Sequence, residues 1–167
     1  LLYYAQGYYS HAAPLLQRAI AIYEKGTNKN NVNNSVGLDD CLNNLGLVYF
    51  GQDKYSLAEP LLKRALTIRA SAKNCPEDEA TTAETLASLY SFTERLIEAD
   101  TMYRRALTLR ERLPKESIEL AENLDNLGQN CYTQGKYANC EVYLKRSIEV
   151  FDRLDEKERE KITSPIN

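Results

Sequence analysis

The sequence repeats itself, and that restricts its fold more than any other feature. At an offset of 41 residues, Leu45, Leu86 and Leu127 coincide, followed by the small residues Gly46, Ala87 and Gly128. The same offset aligns Tyr49, Tyr90 and Cys131; Ala58, Ala99 and Cys140; Leu62, Tyr103 and Leu144; Ala65, Ala106 and Ser147; and Ile68, Leu109 and Val150. An earlier copy fits at an offset of 46, placing HAAPLLQRAI (11–20) against LAEPLLKRAL (57–66). The five extra residues fall in TNKNNVNNSVG, a polar, Asn-rich stretch that reads as a surface loop. A period of this length marks a stacked array, in which each unit buries its apolar face against the next.

Each unit holds two helical stretches. In the first, Leu42, Leu45, Gly46 and Tyr49 fall at i, i+3, i+4 and i+7, one face of a helix. The second runs from about Leu57 to Ala70, with Ala58, Leu61, Leu62, Ala65, Leu66 and Ile68 on its apolar side. Between them stand GQDKY, FTERL and QGKY, short turns in which Gly or a charged residue permits a tight reversal. Connections this short make the two helices antiparallel neighbours. Pro14 and Pro60 fall near the start of the second helix, Asp39 and Asp40 suit the start of a first helix, and Pro76 and Pro114 fall between units. Gly46 and Ala58 carry little side chain, so their helices can approach closely while Leu45, Tyr49 and Leu62 fill the flanks. The expected units are a partial repeat at 1–24 and repeats at about 39–70, 80–112 and 117–154 within a single domain, 1–167. The partial repeat lacks its first helix, which predicts a start within a unit. The charged stretch 155–167 is expected to carry an exposed helix end with i,i+4 charge pairs in DEKEREK.

The pattern L42-x-x-L45-G46-x-x-Y49 followed by A58-x-x-x-L62-x-x-A65 resembles the tetratricopeptide repeat, whose standard unit is about 34 residues. Strings such as LNNLGLVY, QGKY and AEPLLKRALTIR resemble the kinesin-light-chain type of that repeat. The added length lies in the second helix and the loop after it. Where that family usually has His-Pro between units, CPEDEA and LPKES stand here, and Cys131 replaces the usual Tyr. The resemblance implies an all-α fold, a right-handed α-solenoid of stacked antiparallel hairpins. It also implies that the first helices, A, line a concave face and the second helices, B, a convex one.

On that geometry the A helices present Asp40, Asn44 and Leu47, then Thr85, Ser88 and Phe92, then Glu122, Asn126 and Gln129 to a groove, with Asn43, Glu84 and Asp125 at its edge. No Lys or Arg occurs in 39–51, 80–92 or 117–133, whereas Lys63, Arg64, Arg69, Arg104, Arg105, Arg110, Lys145 and Arg146 fall on helix B. The inner face is therefore expected to be polar to mildly acidic and the outer face basic. Such a groove lacks the cations that capture of a terminal carboxylate needs. It suits an extended peptide gripped through its backbone by Asn44, Asn126 and Gln129, with Phe92 and Leu47 taking an apolar side chain and the acids favouring Lys or Arg in the ligand. Asn44 and Asn126 can equally bond an adjacent unit. An alternative is a structural, self-associating module that stacks through its open ends.

Other function classes find little support. A net charge of −3 with 27% charged residues gives no basic face for nucleic acid, and no apolar run reaches the roughly 18 residues of a membrane span. No phosphate-binding Gly loop, HExxH or Ser/His/Asp set occurs, so neither catalysis nor a cofactor is expected. Cys41, Cys75, Cys131 and Cys140 form no CxxC pair, and His11, the single histidine, is far from them, which argues against a metal site and for reduced cysteines in the cytoplasm. Cys131 and Cys140 replace core positions, where they can pair or, as expected, pack reduced. His11 is expected in a loop or at the surface.

Overall fold

A computed structural model of the chain describes residues 9–26, 37–72, 75–114 and 117–154. The Asn-rich connection at 27–36, residues 1–8 and the charged stretch 155–167 lie outside the described residues. The described residues form seven α-helices and no strand: α1 (Tyr9–Gly26), α2 (Leu38–Phe50), α3 (Tyr55–Ala72), α4 (Pro76–Phe92), α5 (Leu96–Arg110), α6 (Ile118–Thr133) and α7 (Tyr137–Arg153). Three hairpins, α2–α3, α4–α5 and α6–α7, stack in sequence, and α1 packs on the first of them. Helices α2, α4 and α6 are the A helices; α1, α3, α5 and α7 are the B helices.

The core follows the repeat. Leu42, Leu62, Leu86, Leu124 and Leu127 are fully buried, as are the small residues Ala58, Ala65, Ala83, Ala87, Ala99 and Ala106. The small residues set how closely A and B approach. A Cβ on Gly46 would lie 2.7 Å from Cγ and Cδ2 of Leu62, and one on Gly128 would lie 2.7 Å from Cδ2 of Leu144. In the middle unit the same pairing of small and large is made by Ala87 and Tyr103, each 4% exposed or less.

The three A–B turns share one backbone shape. Asp53 has φ 58°, Glu94 φ 60° and Gly135 φ 73°, and these are the same position of successive units. The amides of Lys54, Arg95 and Lys136, which follow, donate to the carbonyls of Tyr49, Tyr90 and Cys131 at 2.9, 2.8 and 2.8 Å. The left-handed residue is thus third in GQDKY. Gly51, the glycine of that turn, is right-handed at φ −67°. Pro14 and Pro60 lie inside α1 and α3, and Pro76 opens α4.

Candidate functional site

Each A helix carries two polar rows. One is buried: Asn43, Thr82, Asn123 and Asn130 are 6%, 0%, 1% and 4% exposed. The other faces solvent. Asp40, Phe92, Glu122, Asn126 and Gln129 are exposed, and Asn44, Leu47, Thr85 and Ser88 are half-buried. Among the described residues, no hydrogen bond ties the side chains of Asn44, Asn126 or Gln129. Thr85 Oγ1 is returned to the Thr81 carbonyl at 3.0 Å, and Ser88 Oγ lies 3.2 Å from Tyr103 Oη. Phe92 is 68% exposed and packs its ring edge against Phe50 and near Tyr55, with centroids 5.5 and 6.5 Å away. It joins a small aromatic cluster at the A–B turns, so it is drawn toward the turn end of α4.

The expected division of charge needs correction. Lys63, Arg64, Arg104, Lys145 and Arg146 are exposed on the B helices as expected. Arg69 and Arg110 are not on the outer face: they are 8% and 6% exposed. Arg69 donates from Nε to Asp39 Oδ2 (3.1 Å), from Nη2 to Asp40 Oδ1 (2.6 Å), and from Nη1 to the Thr82 hydroxyl (2.5 Å) and the Asp78 carbonyl (2.9 Å). It therefore ties helices α2, α3 and α4 together. Arg110, one repeat later, forms a bidentate pair with Glu84, Nε to Oε1 and Nη2 to Oε2, each 2.6 Å. The fork geometry of guanidinium suits this double engagement of carboxylates.

The acids of the inner face are correspondingly fewer. Asp39, Asp40 and Glu84 are ion-paired to arginines of the scaffold. Asn43 is not at the groove's edge, because its Oδ1 accepts from the Thr82 hydroxyl at 3.2 Å inside the junction. Acid character on the solvent-facing side of the A helices is concentrated in the last unit, at Glu122 and Asp125, both exposed. Partial desolvation against the neighbouring helices raises the Glu122 carboxyl above its ordinary range, and the carboxylates of Glu119 and Glu84 add to this, against an opposing pull from Arg110.

Junctions between units are built from a second repeat-equivalent set. At the first, Tyr90 Oη donates to Glu59 Oε1 (3.2 Å), Arg95 Nη1 to Glu59 Oε2 (2.8 Å), and the Arg95 guanidinium stacks 4.3 Å over the Tyr90 ring. Burial opposes the charge on Glu59, but the bonds from Lys63 and Arg95 outweigh it and hold its carboxyl below the usual range. At the second junction Cys131 stands in place of Tyr90 and Asp100 in place of Glu59. Asp100 Oδ1, Asn130 Oδ1 and both polar atoms of the Asn123 amide are buried there with no hydrogen-bond partner among the described residues. All four cysteines are free, with Cys131 and Cys140 buried. His11 is exposed, on α1 rather than in a loop.

The fold and the repeat register define a helical-repeat protein, and comparison with known families gives the family. Two profiles, both of the tetratricopeptide repeat, match residues 78–159 and residues 1–31 and 40–72. The chain belongs to the tetratricopeptide repeat family, with repeats like those of kinesin light chain. No curated protein matches it in sequence. Among solved structures it is similar to BtubC (BKLC) from P. vanneervenii, at 20% identity and a TM-score of 0.80, over 99% of this chain and 62% of that one. It is also similar to a Podospora anserina putative kinesin light chain with nearly identical TPR-like repeats, at 16% identity and a TM-score of 0.75, over 93% of this chain and 73% of that one. A Rap protein complexed with Competence and Sporulation Factor matches at 19% identity and a TM-score of 0.63, over 90% of this chain and 42% of that one. The chain thus spans less than two thirds of the length of two of these three. No helix among the described residues is long and apolar enough to cross a membrane.

Proposed function

We propose that the chain is a non-catalytic interaction scaffold that holds an extended segment of a partner protein along its A helices. The supporting observation is the division of the A helices into two polar rows. Asn43 and Thr82 are bonded to each other and to the scaffold, whereas Asn44, Asn126 and Gln129 face outward without such ties. An amide both donates and accepts, so a row of amides can satisfy successive peptide units without reading a sequence. Leu47 and Phe92 supply apolar contact, and Glu122 with Asp125 sets a preference for a cationic residue. The Rap protein complexed with Competence and Sporulation Factor is a precedent for a ligand on this fold. Tetratricopeptide repeat proteins bind protein partners, and four free cysteines suit a reducing compartment such as the cytoplasm.

The test is a peptide array probed with the wild-type chain and with Asn44→Ala, Asn126→Ala and Phe92→Ala. Each substitution is expected to weaken binding by about fivefold to tenfold. Binding that survives all three unaltered sinks the reading. The preference for basic peptides should fade as salt rises.

One observation favours a second reading, self-association through α7. Leu66 and Leu107 are 5% and 9% exposed because the following A helix covers them. Ile148, at the same position of α7, is 61% exposed. A second copy of the chain packed there would bury it. Light scattering over a concentration series should then show growth in mass that Ile148→Glu abolishes; a mass that never changes removes this reading.

A further inference from the structure

The repeat register places one internal arginine in each of the first two units and none in the third. Arg69 and Arg110 are equivalent, and the next equivalent position is Phe151. Two of the positions that receive the guanidinium carry acids in the third unit, while the position of Asp39, which also binds Arg69, is Ala121 there. Arg69 is bonded to Asp40, and Arg110 to Glu84 and, at 3.3 Å, to Thr81 Oγ1. Glu122 is the counterpart of Asp40 and Thr81, and Asp125 is the counterpart of Glu84. Among the described residues the third unit thus has acids at two of these positions and no internal arginine of its own, and the cation that acts on Glu122 is Arg110 of the unit before.

A cavity of about 450 Å³ lies at this place, lined by Ala121, Glu122, Asp125, Asn126, Ser147 and Phe151. Every one of these is the counterpart of a residue at or beside the arginine seat of the earlier units; Ser147, for example, stands where Ala65 and Ala106 stand. Glu122 and Asn126 also belong to the solvent-facing row of α6, so the cavity opens where a peptide in the groove would pass. The Ser147 hydroxyl is held by the Ala121 carbonyl at 2.8 Å, leaving the two carboxylates as the charged groups among the described residues of the lining.

We propose that this cavity is a socket for an arginine side chain of the bound partner, its guanidinium received by Glu122 and Asp125 as that of Arg110 is received by Glu84. In each of two sister sites one of these two positions receives a guanidinium through a carboxylate, Asp40 that of Arg69 and Glu84 that of Arg110. The ring of Phe151 replaces the aliphatic stem and offers a flat face on which a guanidinium stacks well. A guanidinium offers five N–H donors in a fixed planar fork that can stack flat on the Phe151 ring, whereas a lysine ammonium is a compact point charge, so arginine is the expected residue. This inference rests on the groove reading for its supply of the arginine, but the socket can be probed without a peptide.

The probe is N-acetyl-arginine amide, titrated into the isotope-labelled 167-residue chain and followed by backbone amide NMR, with the lysine and citrulline amides as controls. Saturable shifts are expected at residues 121–126 and 147–151, with a dissociation constant of about 1–10 mM for so small a ligand. The lysine amide should bind at least about threefold more weakly, and the neutral citrulline amide should give no saturable shift. Glu122→Gln with Asp125→Asn should abolish the shifts. Phe151→Arg supplies the missing cation from within and should both abolish probe binding and raise the melting temperature; circular dichroism confirms that each variant is folded.

An arginine probe that shifts nothing at these residues, or that binds Phe151→Arg as it binds the wild type, overturns the socket. Equal binding of the lysine amide overturns the guanidinium assignment. A groove-binding peptide whose affinity is unchanged on replacing each arginine by citrulline overturns the socket and leaves the groove standing. An arginine amide that seats correctly in a chain to which no peptide binds does the reverse.

Discussion

Single positions decide whether each hairpin can close. A left-handed backbone costs a residue with a Cβ about 1–2 kcal/mol, and Gly avoids that at some loss of chain entropy. Asp53, Glu94 and Gly135 occupy the same left-handed place. Asp53 recovers something through its carboxylate, which accepts from Tyr55 Oη at 2.7 Å. Glu94 is exposed. Glu94→Gly should therefore stabilise the chain by about 0.5–1 kcal/mol, read as a higher urea midpoint. The reverse logic applies at the helix crossing. Gly46→Ala would drive a Cβ to 2.7 Å from Cγ and Cδ2 of the fully buried Leu62, which must shift to take it. A loss of about 1–3 kcal/mol is expected, and Leu62→Ala in the same chain should recover part of the clash while adding a cavity. The small–large pairing was readable in the sequence as the alignment of Gly46, Ala87 and Gly128 with Leu62, Tyr103 and Leu144. Which turn residue is left-handed was not, because the glycine of GQDKY and that of QGKY sit at different steps of one backbone shape.

At the scale of the helix, spacing and chemistry gave different answers for the B helices, and spacing was right. Arg69 follows the buried Ala65 and Leu66 by four and three residues, so it lies on the buried face. Reading it by charge placed it outside. The available signal was its recurrence at Arg110, alongside recurring acids at the starts of the A helices. The burial is physically affordable because the guanidinium is satisfied by two carboxylates, a hydroxyl and a carbonyl. Arg69→Met should leave Asp39 and Asp40 side by side without their cation and strip the Thr82 hydroxyl of its donor. A cost of about 2–4 kcal/mol is expected, below the figure for a fully buried pair because Asp40 remains largely open to water. Urea melts of Arg69→Met should show it, whereas Lys145→Met, on the exposed face, should shift the midpoint by less than about 0.5 kcal/mol.

Across the whole array, stability should fall from the first inter-unit junction to the second. A stacked repeat is held by the interfaces between neighbours, so one weak junction lets one end open without the rest. The α3/α4 junction has the Glu59, Tyr90 and Arg95 cluster and the bonded Asn43 and Thr82. The α5/α6 junction has Cys131 for Tyr90, and polar atoms of Asp100, Asn123 and Asn130 buried without partners among the described residues. Each such group costs about 1–3 kcal/mol relative to a satisfied one. The sequence showed Cys131 as a departure from the repeat but not that Asp100 Oδ1 goes without the kind of bond that Glu59 accepts from Tyr90, since that pairing joins residues of different units. Native-state hydrogen exchange should accordingly find α6 and α7 opening at lower free energy than α2 to α4. Asn123→Leu, which removes an unsatisfied amide at nearly constant volume, should close part of that gap and stabilise the chain by about 1–3 kcal/mol. Acid should narrow the gap from the other side. The folded-state carboxyl of Glu59 lies below its ordinary value of 4.5, so its contribution is complete above that pH and is lost as pH falls through the lowered value. Exchange measured at neutral pH and again below about pH 4 should then show α4 losing protection relative to α6, and an unchanged ordering with unchanged spacing would rule out Glu59 as the source of the difference.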